Sequence, residues 1–269
     1  MQLDLDVAGR ERSVVLKRGS AAEIAALRAL AVVVGVDRPR LIAAGRDGVG
    51  DWLLMPCYDG SPVADGAELP EEVWDTLGRV HAHWLRRRPR GLPVVDARWW
   101  QALAEQRIAP ALRGAAARCA DPSGDPIFES GARAVTNWAR DRRLLAALAL
   151  LPKTLVHGDP HRGNLLWASG SVTIIDWGNA KVAPAGLDLA VLKAQGAIPS
   201  AAYRRRLVAV RGQDDERILD VERHWADVSV HVAYLGFAAD HLGAGRVAEM
   251  IETAAAALNL LGTALADLR

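Results

Sequence analysis

Apolar and polar residues alternate through QLDLDV (2–7), pause at AGRE, and resume in RSVVLKR (12–18), a pattern that predicts a β-hairpin. After Gly19 the period lengthens. Ile24, Leu27, Leu30 and Val34 then recur three or four positions apart, which predicts one buried helical face. PRLIAAG and DWLLMPCY predict two further strands joined by RDGVG. That turn is glycine-rich but links two strands and opens no helix, so it reads as a hairpin and not a phosphate loop.

From about Asp59 the pattern becomes helical. EEVWDTLGRVHAHWLRRR (71–88), ARWWQALAEQRIAPALRG (97–114) and SGARAVTNWARDRRLLAALALL (130–151) all carry helical spacing. Short strands are expected at NLLWA and VTIID, then helices near 187–196 and 199–211 and two long helices to the end. In the first long helix Ile218, Val221, Trp225, Val228, Val232 and Leu235 form an apolar stripe. The expected architecture is α+β, with a small β-rich N-terminal lobe (1–58) and a larger helical lobe (59–269) that carries one inserted β-element.

Composition narrows the class. The chain has 269 residues, 51% hydrophobic and 24% charged, enough for a substantial core. No apolar run is long enough for a membrane span and the N-terminus has no apolar signal region, so the expected location is the cytoplasm, without a membrane partner. Two cysteines, Cys57 and Cys119, make no disulfide framework. A net charge of +1 gives no global field for nucleic acid, and none is expected as a partner. Charge is uneven, however: residues 211–269 hold ten acidic and five basic side chains, against three and seven in 151–210.

The densest chemistry lies in LVHGDPHRGNLLW (155–167) and VTIIDWGNA (172–180). An apolar strand opens into a run of groups able to move protons or hold metal, and a second strand runs straight into Asp176. Two carboxylates and an amide, Asp159, Asp176 and Asn164, suit magnesium, which takes a few protein oxygens and fills its shell with phosphate and water. A rival reading takes His157, Asp159 and His161 as H-x-D-x-H, the start of a dinuclear metallohydrolase site. Gly158, Pro160 and Gly163 forbid the regular helix that would set both histidines on one face.

HGDPHRGN followed by IIDWGNAKVAPAGLDLA resembles the catalytic core of the aminoglycoside phosphotransferase family, relatives of the protein kinases. The kinase pattern H-R-D-x-x-x-x-N is matched by His157, Gly158, Asp159 and Asn164, and D-F-G by Asp176-Trp177-Gly178. LLMPCYDG is similar to the family's inter-lobe hinge and RVHAHW to its leucine-histidine-alanine helix. The resemblance implies a two-lobed protein-kinase-like fold and a phosphotransferase using ATP or GTP with Mg2+.

The same resemblance implies individual roles. Asp159 would take or orient the proton of the attacking hydroxyl, and Asn164 and Asp176 would hold magnesium. His157 would pack the loop, and Asp188 would brace its backbone, with an N-cap for the following helix as the rival role. Lys17 would bind phosphate. Glu23 would pair with it, or else complete a capping box with Ser20. Met55 would guard the base pocket, and the base would bond the Pro56 C=O and the Tyr58 N–H.

Only 16 residues precede Lys17, so the family's first strand and phosphate-covering loop are expected to be missing. The acidic C-terminal segment, with Asp214, Asp215, Glu216, Asp220, Glu222 and Asp227, suits a polycationic acceptor such as an aminoglycoside or a basic peptide antibiotic. A metabolic kinase for choline, a sugar or an amino acid, and a relative that binds without catalysis, are the alternatives.

Overall fold

The computed structural model describes residues 1–7, 10–119, 125–211 and 216–268, with the side chains of 7, 125, 208–211 and 216 outside that description. The chain divides into two compact units, Met1–Pro93 with Pro152–Gln213, and Val94–Leu151 with Asp214–Arg269. The sheet and the catalytic-loop motif therefore belong to one unit.

In the first unit, strands β1 (Gln2–Val7) and β2 (Arg10–Arg18) form the expected hairpin, with Leu5 opposite Arg12. Helix α1 (Ala21–Leu30) follows, capped by Ser20, whose Oγ accepts the Glu23 N–H at 3.1 Å. The helix stops before Val34, which is 84% exposed; Val33 is buried in its place. Strands β3 (Ala43–Asp47) and β4 (Gly50–Pro56) complete an antiparallel sheet in the order β1-β2-β4-β3. Lys17 lies opposite Leu53 and Met55 opposite Val15.

A two-residue strand β5 (Ser61–Pro62) leads to helix α2 (Glu71–Trp84). The second unit then begins with α3 (Ala97–Ala102), a π-helical segment Leu103–Ile108, and α4 (Ala109–Arg118). The wider π turn has a local cause. Pro110 has no N–H and its ring would collide with the carbonyl four residues back, so the helix loosens just ahead of it. The expected helix over 130–151 is two: α5 (Asp125–Trp138) and α6 (Arg142–Leu150), because Asp141 turns out and caps the second by accepting the Arg143 N–H at 2.8 Å.

Back in the first unit, β6 (Thr154–Val156), β7 (Leu165–Ala168), β8 (Ser171–Ile174) and β9 (Lys181–Ala183) frame the polar loop. β5-β7-β8 form one small antiparallel sheet and β6-β9 another. Helices α7 (Gly186–Lys193) and α8 (Ala201–Arg211) follow. The second unit closes with α9 (Glu216–His241) packed on α10 (Gly243–Ala266). Along α9 the side chains of Val221, Trp225, Val228, Val232 and Leu235 are fully buried, each contributing about 1.5–3 kcal/mol over exposure. Among the described residues no helix is long and apolar enough to cross a membrane.

Candidate active site

The site is held from beneath by one buried carboxylate. Asp188 lies in the first turn of α7, whose cap is Ala185, so the rival reading of Asp188 as the N-cap does not hold. Its Oδ2 accepts the His157 N–H at 2.8 Å and its Oδ1 the Gly158 N–H at 2.7 Å. His81 of α2, also buried, places Nε2 3.1 Å from Oδ2 and Nδ1 2.8 Å from the Tyr203 hydroxyl. Burial alone would raise the Asp188 pKa. The His81 contact, the nearby His157 and the Gly158 N–H outweigh it and hold the carboxyl below its ordinary range.

This bracing fixes the loop's shape. Gly158 adopts φ +82°, and a Cβ there would sit 2.4 Å from the Asn179 carbonyl oxygen, so only glycine fits. His157 is fully buried, with Nε2 2.8 Å from the Ile175 carbonyl and Nδ1 accepting the Asp159 N–H at 3.2 Å. Both ring nitrogens are therefore engaged, in the tautomer with the proton on Nε2. Burial pushes the His157 pKa down despite the acids around it. Trp177, also buried, sets its ring edge against the His157 ring with centroids 4.7 Å apart.

These bonds remove the H-x-D-x-H alternative. His157 has no nitrogen left for a metal, and His161 Nδ1 accepts the Gly163 N–H at 3.1 Å to cap the 3-10 turn Arg162–Asn164. Among the described residues no three His, Cys, Asp or Glu side chains form a metal cage.

The expected site residues join in a continuous chain of contacts. The Asn164 amide N–H donates to the Asp159 carbonyl at 3.0 Å, and the Asn164 carbonyl accepts the Ile175 N–H at 2.9 Å. The next residue, Asp176, takes a left-handed conformation (φ 61°), which strains a residue with a Cβ and turns its carboxylate out of the strand. Its side chain is 57% exposed, and Oδ1 lies 2.9 Å from Lys17 Nζ. Lys17 Nζ is also 2.7 Å from Glu23 Oε1, on a side chain 3% exposed. Asn179, which the sequence reading did not single out, donates to Asp159 Oδ2 at 3.3 Å.

Electrostatics follow this geometry. Burial pulls the Lys17 ammonium down, but Glu23 and Asp176 together raise it above the ordinary lysine value. Burial raises Glu23 in spite of Lys17, while Lys17 outweighs desolvation at Asp176 and lowers it. Glu23 resolves the two expectations for it: Ser20 still caps the helix with its hydroxyl, but the Glu23 carboxylate reaches Lys17.

At the hinge, Met55 is buried on β4. Cys57 N–H donates to the Ser13 carbonyl at 2.9 Å, which makes the Val14–Pro56 pair of the non-hydrogen-bonded kind. The missing N–H of Pro56 therefore costs no ladder bond, and its C=O faces away from β2. The Tyr58 hydroxyl accepts the Arg40 N–H at 2.5 Å.

The acidic segment is placed only in part. Asp214 and Asp215 lie outside the described residues, as does the side chain of Glu216. On α9, Asp220 pairs with Arg223 at 2.9 Å, Glu222 is 5% exposed, and Asp227 is half-buried.

The donor set fits magnesium. Asn164 uses its NH2 on the Asp159 carbonyl, which leaves Oδ1 to face a cation, and Asp176 keeps Oδ2 clear of Lys17. Hard oxygen donors, few in number, are what magnesium takes from protein when phosphate supplies the rest.

Comparison with known proteins bears on the family and the fold. The family model described as "Phosphotransferase enzyme family" (APH) matches residues 7–223. No curated protein sequence matches the chain. Among solved structures, a thermostable mutant of aminoglycoside phosphotransferase APH(4)-Ia in a ternary complex with ADP and hygromycin B is 14% identical, with a TM-score of 0.59, covering 97% of this chain and 93% of that one. The GDP complex of wild-type aminoglycoside 2'-phosphotransferase-IIIa is 15% identical, with a TM-score of 0.54 over 96% and 92%. A putative fructosamine-3-kinase from Thermobifida fusca is 20% identical, with a TM-score of 0.56 over 96% and 93%. At these identities the likeness establishes a shared kinase-like α+β fold.

Proposed function

Because this chain belongs to the phosphotransferase enzyme family, we propose that it moves the γ-phosphoryl group of ATP or GTP to a hydroxyl of a small molecule, with Mg2+. The observation that carries this reading is the chain of contacts running Glu23, Lys17, Asp176, Ile175, Asn164, Asp159. It gathers a cation, an outward carboxylate, an amide oxygen and a second carboxylate in one compact unit. Nucleotide use is supported by the ADP and GDP found in the similar structures.

The residues divide the work. The open carbonyl of Pro56 and the N–H of Tyr58 hold the base beside Met55. Lys17, oriented by Glu23, meets the phosphates. Asn164 and Asp176 hold magnesium, which when bound supplies positive charge on the phosphate oxygens. Asp159, with Asn179 on its Oδ2, receives the acceptor hydroxyl and orients it for in-line attack, taking its proton as the new O–P bond forms and the β–γ bridging O–P bond breaks to release the nucleoside diphosphate. His157 and Asp188 keep the loop in that shape.

For the acceptor we propose a small cationic molecule, an aminoglycoside or a basic peptide antibiotic. The acidic composition of the C-terminal segment and the hygromycin B bound by a similar structure support this choice. The fructosamine-3-kinase likeness favours a second reading, a metabolic kinase. A nucleotide-consumption screen over cationic antibiotics, sugars, choline and amino acids tests both. We expect turnover with one class, and loss of at least about 100-fold in Asp159→Ala, the scale of general-base catalysis. Near-normal turnover in that variant would refute the assignment. Binding of a compound with no nucleotide consumed would show a sequestering protein instead.

A further inference from the structure

Arg162 sits inside the catalytic loop, between Asp159 and Asn164, and is only 5% exposed. It is the one buried lysine or arginine among the described residues. Buried cations of this kind are normally paired with a carboxylate. This one is not. Its Nη1 donates to the Ala64 carbonyl at 2.9 Å and its Nη2 to the Ala67 carbonyl at 2.7 Å. The two carbonyls are the ends of a single turn, closed by the Ala67 N–H on Ala64 C=O at 3.3 Å, with Gly66 at φ +74°. Asp65 and Glu68 in the same segment are exposed and form no ion pair with it.

The planar fork of the guanidinium thus spans one turn bidentately, a geometry that lysine cannot reproduce. Its backbone is fixed as well, since the Arg162 N–H donates to Gln195 Oε1 at 2.9 Å and Gln195 Nε2 donates to the Val191 carbonyl at 3.2 Å. The clamped turn lies just beyond the hinge, and strand β5 at its start pairs with β7, which begins directly after Asn164. The 3-10 turn that aims Asn164 is therefore held from both sides.

We propose that Arg162 is a positioning residue: by tying the catalytic loop to the 64–67 turn, it sets Asn164 and with it the affinity for metal-bound nucleotide. This rests on the function proposed above. Partners one step behind a metal ligand typically govern about 10- to 100-fold of affinity.

The test is calorimetric binding of ATP, with and without Mg2+, to wild type, Arg162→Lys and Gln195→Ala, alongside thermal unfolding. For Arg162→Lys we expect ATP affinity in Mg2+ to fall roughly 10-fold, and metal-free ATP affinity to change by less than about 2-fold, since the hinge contacts remain. Gln195→Ala should move the same quantity in the same direction. Equal weakening with and without metal, or unchanged affinity in a variant that melts lower, would reduce Arg162 to a structural role and overturn the proposal. So would a wild type that binds ATP no better with Mg2+. Absence of turnover with every acceptor, beside an intact metal-dependent shift, would sink the proposed reaction and leave this inference standing.

Discussion

Asp188→Ala is expected to be the most destabilising single change near the site. The side chain is fully buried and accepts from three groups: the His157 N–H, the Gly158 N–H and His81 Nε2. Truncation leaves all three donors without a partner in a pocket that water does not reach. Each orphaned donor costs about 1–3 kcal/mol. The three share one acceptor and relax together, so the sum is not additive, and about 3–5 kcal/mol is the expected total. At roughly 2–4 °C per kcal/mol for a chain of this size, the melting temperature should fall by about 6–20 °C.

Asp188→Asn separates charge from shape. It can keep one accepting oxygen for the loop, but its NH2 must then face a donor. We expect about half the loss of the alanine variant, near 2 kcal/mol. Urea denaturation followed by circular dichroism measures both, with the magnesium dependence of nucleotide binding as the local readout. A loss below about 1 kcal/mol in Asp188→Ala would show that the loop does not depend on this carboxylate.

Acid should destabilise the fold through His157. Its folded pKa lies below the ordinary 6.5, so the unfolded chain takes up the proton first; stability is full above about pH 6.5 and falls as pH drops toward the folded value, by up to about 1.4 kcal/mol per unit. Denaturation curves from pH 8 to pH 5 should show this slope in wild type and lose it in His157→Gln; an identical slope in both would refute it. Asp188, also depressed, contributes in the same direction at lower pH, losing its share as pH falls below the usual carboxylate range. Gly158→Ala should cost at least about 1–2 kcal/mol from the left-handed conformation alone, before the collision with Asn179. A thermal shift of less than 1 °C in that variant would contradict the strained turn. Asp176→Ala should remove the magnesium dependence of nucleotide binding while leaving metal-free affinity within about 2-fold, and an unchanged magnesium titration would contradict its role.

The hairpin of β1 and β2, the buried stripe of α9 and the non-helical turn from His157 to Asn164 are legible because each rests on residues close in sequence. Val34 departs from the expected face for a local reason too: α1 ends before it, and once the helix stops the 3.6-residue phase no longer applies. Long-range contacts left no such trace. His81 meets Asp188 across 107 residues, and Arg162 reaches Ala64 and Ala67 across 98 and 95. A buried arginine reads in sequence as one more surface cation, of which this chain has many. Glu23 shows how the two scales compete. The local signal was a capping box, and the distant Lys17 pairing took the carboxylate while Ser20 kept its half of the cap.

Four carboxylates of the site share one functional group and differ in what surrounds them. Asp188 is fully buried and meets three donors, which brace the loop. Glu23 is buried beside a single lysine, and that arrangement fixes the ammonium in place. Asp159 faces an amide from Asn179 and the loop it belongs to. Asp176 alone is more than half exposed, carries backbone strain to reach that position, and keeps one oxygen clear of Lys17. Strain of this kind persists only where the surrounding structure enforces it. Open acceptor capacity, more than residue type, therefore separates Asp176 from the two buried carboxylates, Glu23 and Asp188, that hold the site together. In this chain that separation is the ground for the metal-holding role proposed above for Asp176.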